Sequence, residues 1–592
     1  MIAVFVMAIL SIASSGAQVA EVEYRTTVSP AAGGWFPWYE LASDPANPAN
    51  LILCGSRWDA GDNAFYGFVS STTDGGRSWH TALEDKNSSW VSEQSCAFGV
   101  RDEAYFVSEA SHVINGRPYH NRGTTRIFLS RNAGQSWTEA ARTTWADYSA
   151  SVVDTREGFN QNRLYTFYNG DYPDVASARG VEAEGTAVSA FSFKDDEIKV
   201  QGPLSLTKFR YQGSYPQRAF ILKDGSLITT YFGRLTRLGR EYSVIGAVLS
   251  NSERTKFSDT VIVQVPVTKI RNCYPDDFAA AYDPIGDRIL IAYPSWKRGE
   301  CRLFLKSSQS GGRNWTMGQP LPRPRTKSRK FFSPAMAVSR DGILGFLWRD
   351  EPVSDCWYFS ASRDNGHHFI TPISLTACPQ HKRRLADFGA SLRTSTSGAG
   401  DGVSDPKLTL HLVDSRNHTW RNLGALAVTA DGAYHAAWVE AGGGKGELKA
   451  ATILVTRPGN PAVVARADVT DRLIPLYGGA QYYDRNHNTV TVQIVLRNKS
   501  TTAIRAPLLL SVLEIKSGLG RLAIMNSSNG LSTRGATWDV SEALPTGCLE
   551  PGDATAPISL VFQIPRGEAP AGEVEVLSLQ FKAFAAGSEM PD

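Results

Sequence analysis

The stretch STTDGGRSW (Ser71–Trp79) places a tight Asp-Gly-Gly turn three residues ahead of a tryptophan. Its core, Thr72-x-Asp74-x-Gly76-x-Ser78-Trp79, recurs as Ser130-x-Asn132-x-Gly134-x-Ser136-Trp137. Looser copies are Ser308-x-Ser310-x-Gly312-x-Asn314-Trp315 and Ser362-x-Asp364-x-Gly366-x-His368-Phe369, while Ser250 to Phe257 keeps the hydroxyl and the aromatic. The starts at 72, 130, 250, 308 and 362 are spaced 58, 120, 58 and 54 residues, and the gap of 120 is two units, so the period is close to 58. An Asp or Asn side chain accepts backbone N–H bonds within its own turn, and glycine supplies the positive φ such a turn needs. The aromatic that follows then tucks under the turn between neighbouring sheets. These residues form a structural staple rather than a reacting group.

A second pattern runs in phase with the first. LILCGSRW (51–58), AYFVSEAS (104–111), LYTFYNGD (164–171), LITTYFGR (227–234), ILIAYPSW (289–296), ILGFLWRD (343–350) and YHAAWVEA (434–441) read as equivalent strands. Period-2 strands in repeats of this length, with no helical pattern between them, predict four-stranded blades in a ring. The chain is expected to be all-β, with a seven-bladed β-propeller over 21–457 and six blades as the alternative. The stretch 21–29 is expected to supply the outer strand of the last blade. Beyond TRPGNPA (456–462), alternating strands and the turn LEPGDA (549–554) predict a β-sandwich of immunoglobulin-like type over 464–592.

Net charge is only +3, which argues against a global nucleic-acid footprint. Residues 1–20 read as a signal peptide, and no later apolar run is long enough to span a bilayer, so a secreted or periplasmic protein with no membrane span is expected. Seven cysteines in an exported chain predict disulfides. Their positions in the blades suggest Cys54–Cys96, Cys273–Cys301 and Cys356–Cys378, with Cys548 left over. No cysteine pair has CxxC spacing, so no metal is expected, and no cofactor either.

The Thr72–Trp79 pattern resembles the Asp-box (BNR) repeat of the sialidase-like propeller superfamily, secreted bacterial type. The resemblance implies an exo-acting glycoside hydrolase working on an acidic glycan at the propeller axis. It implies arginines clamping a carboxylate, a tyrosine nucleophile helped by a glutamate, and an aspartate acid/base. A non-catalytic glycan- or protein-binding propeller is the alternative. The family's Arg-Ile-Pro stretch is replaced here by GGWFPWYELASDP (33–45), which has no arginine.

In a four-stranded meander the boxes lie at one end of the ring, and the second-to-third loops and blade connections lie at the other. That second end collects Arg57, Arg234, Arg298 and Arg349 as anion binders, with Trp296 and Trp348 as stacking surfaces. Asp59, Tyr274 and Glu351 are the expected catalytic groups there. The connections WADY (145–148) and YPQR (215–218) and the basic runs RPRTKSRK (323–330) and HKRR (381–384) belong to the same end.

Overall fold

The computed structural model describes residues 20–28, 35–59, 64–86, 90–111, 124–144, 147–169, 186–194, 197–206, 211–267, 277–297, 300–321, 330–351, 356–376, 424–442, 445–455, 466–484, 488–517, 522–563 and 578–586. Within these runs 157, 159, 529–531 and 534 are excepted, and outside them 62, 113, 114, 117, 118 and 273 are added. The expected signal peptide therefore lies outside the described residues.

The chain is all-β, and the described residues contain no α-helix. Before residue 456 they form seven four-stranded antiparallel sheets, an arrangement consistent with a propeller. In the first, Trp35–Ser43, Leu51–Asp59, Ala64–Thr72 and His80–Asp85 pair in chain order. The first strands of the next five are Trp90–Phe98, Asp147–Val153, Tyr211–Ile221, Ala279–Asp283 and Lys330–Val338. The seventh sheet joins Ala425–Val428, Tyr434–Gly442 and Lys445–Val455 to the N-terminal strand Ala20–Thr27, which pairs Ala20 with Val455 and Thr27 with Lys449. The first strands lie side by side in sequence, and Ala425–Val428 returns to Trp35–Ser43, so the series closes on itself. Closure between the two ends of the ring makes opening it cost a non-local strand pair.

Apolar side chains fill every gap between adjacent sheets, as alternation in a strand buried on both faces requires. Phe36, Leu53 and Ala437 pack between the seventh sheet and the first, and Ile52, Phe106 and Phe128 between the first and second. Phe346 and Leu305 do so between the fifth and sixth. The box aromatics occupy corresponding places: Trp79, Trp137, Trp315 and Phe369 each pack in the gap on the preceding-sheet side of their own sheet. Above Trp79, Asp74 accepts the Ser78 N–H at 3.0 Å, Thr72 Oγ1 accepts the Gly76 N–H at 3.0 Å, and Trp79 Nε1 donates to the Gly76 carbonyl at 3.1 Å. Asn132, Ser130, Gly134 and Trp137 repeat those bonds at 2.9 Å each. At Gly366 an added Cβ would stand 2.2 Å from Leu305 of the neighbouring sheet, so there the glycine is required by packing as well as by its φ of +87°.

After residue 465 two further sheets enclose a separate core that includes Leu496, Leu510, Val512, Trp538, Leu560 and Phe562. This unit meets the box end of the ring. Arg340, in the turn between the first two strands of the sixth sheet, donates to the carbonyls of Pro45 and Gly535. Ser511 Oγ donates to Ala46 O at 2.8 Å, and Arg101 pairs with Glu514 at 3.2 Å. Pro45, Arg101 and Arg340 sit in equivalent turns of three different sheets, so the unit rests on the end of the ring rather than on one sheet.

Candidate functional site

At the centre of the ring the first strands converge on a cavity of about 80 Å³. Its lining includes Glu40, Gln94, Ser149, Gln217, Arg218, Trp38, Tyr39 and Tyr148, with the Gln94 amide oxygen buried beside Gly67 and the Ser149 hydroxyl 3.4 Å from that of Ser95. Ala279, Ala335 and Gly424, from the remaining sheets, complete the circle. The first strands are irregular where they line it, since pairing shifts register between Trp35 and Trp38, Val91 and Gln94, Asp147 and Ala150, Pro216 and Arg218, and Phe332 and Ala335. Bulges bend a strand and re-aim side chains.

Glu40, from the first sheet, and Arg218, from the fourth, form an ion pair across this space. Their side chains are 19% and 32% exposed, so the pair is reachable from solvent. The Cys96 N–H also approaches Glu40 Oε2, at 3.4 Å, and the Cys54–Cys96 disulfide ties the strand beside Glu40 to the second sheet. A neighbouring guanidinium favours the ionised carboxylate. Tyr148 holds a φ of +56°, an uncommon conformation for a bulky residue. Its ring lies 5.8 Å from Trp38 and 4.4 Å from Tyr215, which in turn stacks on Phe232 at 4.7 Å. The Tyr39 ring is buried between the seventh and first sheets, and burial pushes its hydroxyl far above the ordinary phenol value.

Among the described residues, those singled out from sequence are not gathered into one cluster. Arg57 is buried and engaged by Glu84 and, at 3.5 Å, by Asp59, whose carboxylate also accepts the Asp62 N–H at 3.2 Å. Arg234 is exposed on its strand, and Arg349 lies with its guanidinium 5.9 Å from the Trp357 ring centroid. Trp296 is half-buried opposite Cys301. Trp348 requires a correction: it is 0% exposed and stacked between Phe346 at 5.0 Å and Tyr358 at 5.9 Å, so it is a core residue that no sugar can reach. Glu351 ends its strand opposite Lys330, but its side chain, like Tyr274 and Arg298, lies outside the described residues. Cys54 is bonded to Cys96 and Cys273 to Cys301. Cys356 is disulfide-bonded, Cys378 lies outside the described residues, and Cys548 is free. No group of His, Cys, Asp and Glu suited to a metal occurs among the described residues.

Glu40, Gln94, Ser149 and Gln217 were missed because each stands alone in its own repeat. The available signal was positional: GGWFPWYELASDP, WADY and YPQR all lead into or form first strands.

No family model matches the chain, and no curated protein matches it. Among solved structures it is similar to an α-L-arabinanase of Penicillium chrysogenum complexed with arabinobiose, at 11% identity over 73% of this chain and 98% of that one, with a TM-score of 0.37. It is also similar to the α-L-arabinofuranosidase of Fusarium graminearum, at 12% identity over 62% and 99%, TM-score 0.37. A polysaccharide lyase acting as an ulvan lyase matches at 12% identity over 72% and 95%, TM-score 0.39.

Proposed function

We propose that the chain is a secreted glycoside hydrolase built on a seven-bladed sialidase-like propeller, residues 21–457, with an immunoglobulin-like sandwich over 464–592. The catalytic site in this reading is the axial cavity. The observation that carries it is the Glu40–Arg218 pair, solvent-reachable and flanked by Trp38 and Tyr148.

Paired with Arg218, Glu40 is the carboxylate that stays ionised and supports the developing positive charge at the anomeric carbon, as one of two acids in a glycosidase does. Tyr274 and Glu351, expected from the sequence as catalytic groups at the same end of the ring, stay in this proposal as further candidates for that role. The unit after residue 465 contacts the box end of the ring, so in this reading substrate enters from the other end. Assaying the purified protein on a panel of chromogenic glycosides tests the reading. Turnover is expected, and Glu40→Gln should lower kcat by roughly 10²–10⁴-fold with the fold intact. Equal turnover by Glu40→Gln would place the chemistry elsewhere, and binding without turnover on any glycoside would make the chain a glycan-binding propeller.

A further inference from the structure

We propose that the hairpin arm of the fourth sheet docks the protein onto an anionic phospholipid surface. Leu227–Arg237 and Arg240–Ser250 are the second and third strands of that sheet, 11 residues each, so the turn between them lies at the end of the ring opposite the boxes. Both strands are packed between neighbouring sheets as far as Gly233 and from Ser243 onward. Between those points the chain from Arg234 to Glu241 stands in solvent, with only Leu235 half-buried. Tyr231 pairs with Pro216, which lines the axial cavity, so the turn lies roughly 20 Å further along the strand than the lining.

Three features of this turn work against the hairpin's own stability. Leu238 holds a φ of +51° ahead of Gly239 at +71°, a two-residue turn that favours Asn or Gly and strains a bulky side chain. The same leucine is 94% exposed, so it gains no packing in return. Arg237 pairs directly opposite Arg240, and like charges facing each other across a ladder destabilise it. Among the described residues none of Arg234, Arg237 and Arg240 has a carboxylate partner, and Glu241 is the one acid on the exposed stretch. An apolar apex above a cationic collar matches an apolar layer behind an anionic one. Leu238 enters the acyl boundary while the arginines stay at the level of the lipid phosphates. A soluble acidic glycan would meet the arginines but leave Leu238 in water, so it does not account for the apex. Docking through this arm turns the mouth end of the ring toward the surface and leaves the unit after residue 465, at the box end, facing away. It stands whether or not the axis is a glycan site.

Flotation of the full-length protein with vesicles of phosphatidylcholine alone, and of phosphatidylcholine with about one-third phosphatidylglycerol, tests the proposal. Binding is expected to the mixed vesicles, weakening as salt rises, and not to phosphatidylcholine alone. Burying one leucine strengthens binding about tenfold, and each arginine near an anionic surface about fivefold. Leu238→Asn should therefore bind the mixed vesicles about tenfold more weakly while its Tm is unchanged or raised, because Asn suits the positive φ. A merely structural leucine would not give weaker binding with a turn at least as stable. Arg237→Gln combined with Arg240→Gln should weaken binding about 25-fold. No binding of the unmodified protein to the mixed vesicles overturns the proposal, and so does undiminished binding by Leu238→Asn. Binding lost only in the arginine variant, and competed away by soluble polygalacturonate, overturns the lipid partner in favour of an acidic glycan.

Discussion

Gly535→Ala should loosen the sandwich from the ring. Gly535 has a φ of +79°, and a Cβ there would stand 2.5 Å from the Pro45 carbonyl oxygen and 2.6 Å from Arg340 Nη2. The backbone strain of an L-residue in this region is about 1–2 kcal/mol. The Pro45 contact is with backbone, so it cannot yield by a rotamer change. Separating the surfaces takes the Gly535 carbonyl from Arg340, while the Pro45 carbonyl stays with it on the ring, and one hydrogen bond from a charged donor contributes about 1.5–3 kcal/mol. The expected loss is therefore about 2.5–5 kcal/mol. An internal control exists at Gly552, where φ is +87° and nothing lies within 4 Å of an added Cβ. Gly552→Ala should lose the strain term alone, about 1–2 kcal/mol. Scanning calorimetry of the full-length protein reads the difference, and in Gly535→Ala the sandwich should melt as a separate, earlier transition. Equal shifts for the two variants would refute the docked arrangement.

Two further outcomes follow from the box end. Trp137→Ala should cost roughly 3–5 kcal/mol, because the indole fills the gap between the first two sheets and its N–H holds the Gly134 carbonyl; a loss below about 1 kcal/mol in urea denaturation would deny it that role. His435 is buried between Thr452, 3.0 Å from Nδ1, and Thr429, 3.3 Å from Nε2, with Asp431 nearby, and burial pulls its pKa from 6.5 down to about 4. The unfolded chain therefore binds a proton between those values that the folded chain refuses, so stability should fall as pH drops from 6.5 toward 4, by up to about 1.4 kcal/mol per pH unit. His435→Gln should flatten that part of the profile, and an unchanged slope would assign it to other groups.

Repetition made the ring legible. A hydroxyl, an Asp or Asn, a glycine and an aromatic at constant spacing encode a turn through bonds that span only a few residues, as the Ser130–Gly134 and Asn132–Ser136 contacts do. Strand alternation is equally local, and so the four-stranded sheets could be anticipated. The site residues could not be weighed in the same way. Arg57 and Arg349 look alike in the sequence, at the ends of equivalent strands, yet Arg57 is claimed by Glu84, 27 residues away, and Arg349 lies on Trp357. Trp348 resembles a stacking platform by position, but Phe346 and Tyr358 enclose it.

By itself, then, the chain's order of residues determined the all-β class, the repeated turns and the places where aromatics could anchor them, because each depends on neighbours in sequence. Only the tertiary structure decided what meets at the axis. Glu40 and Arg218 belong to different sheets, brought together when the ring closes, with first-strand bulges near each of them. A charge pair formed by ring closure between distant repeats leaves no periodic trace, since each partner is a single departure from its own repeat.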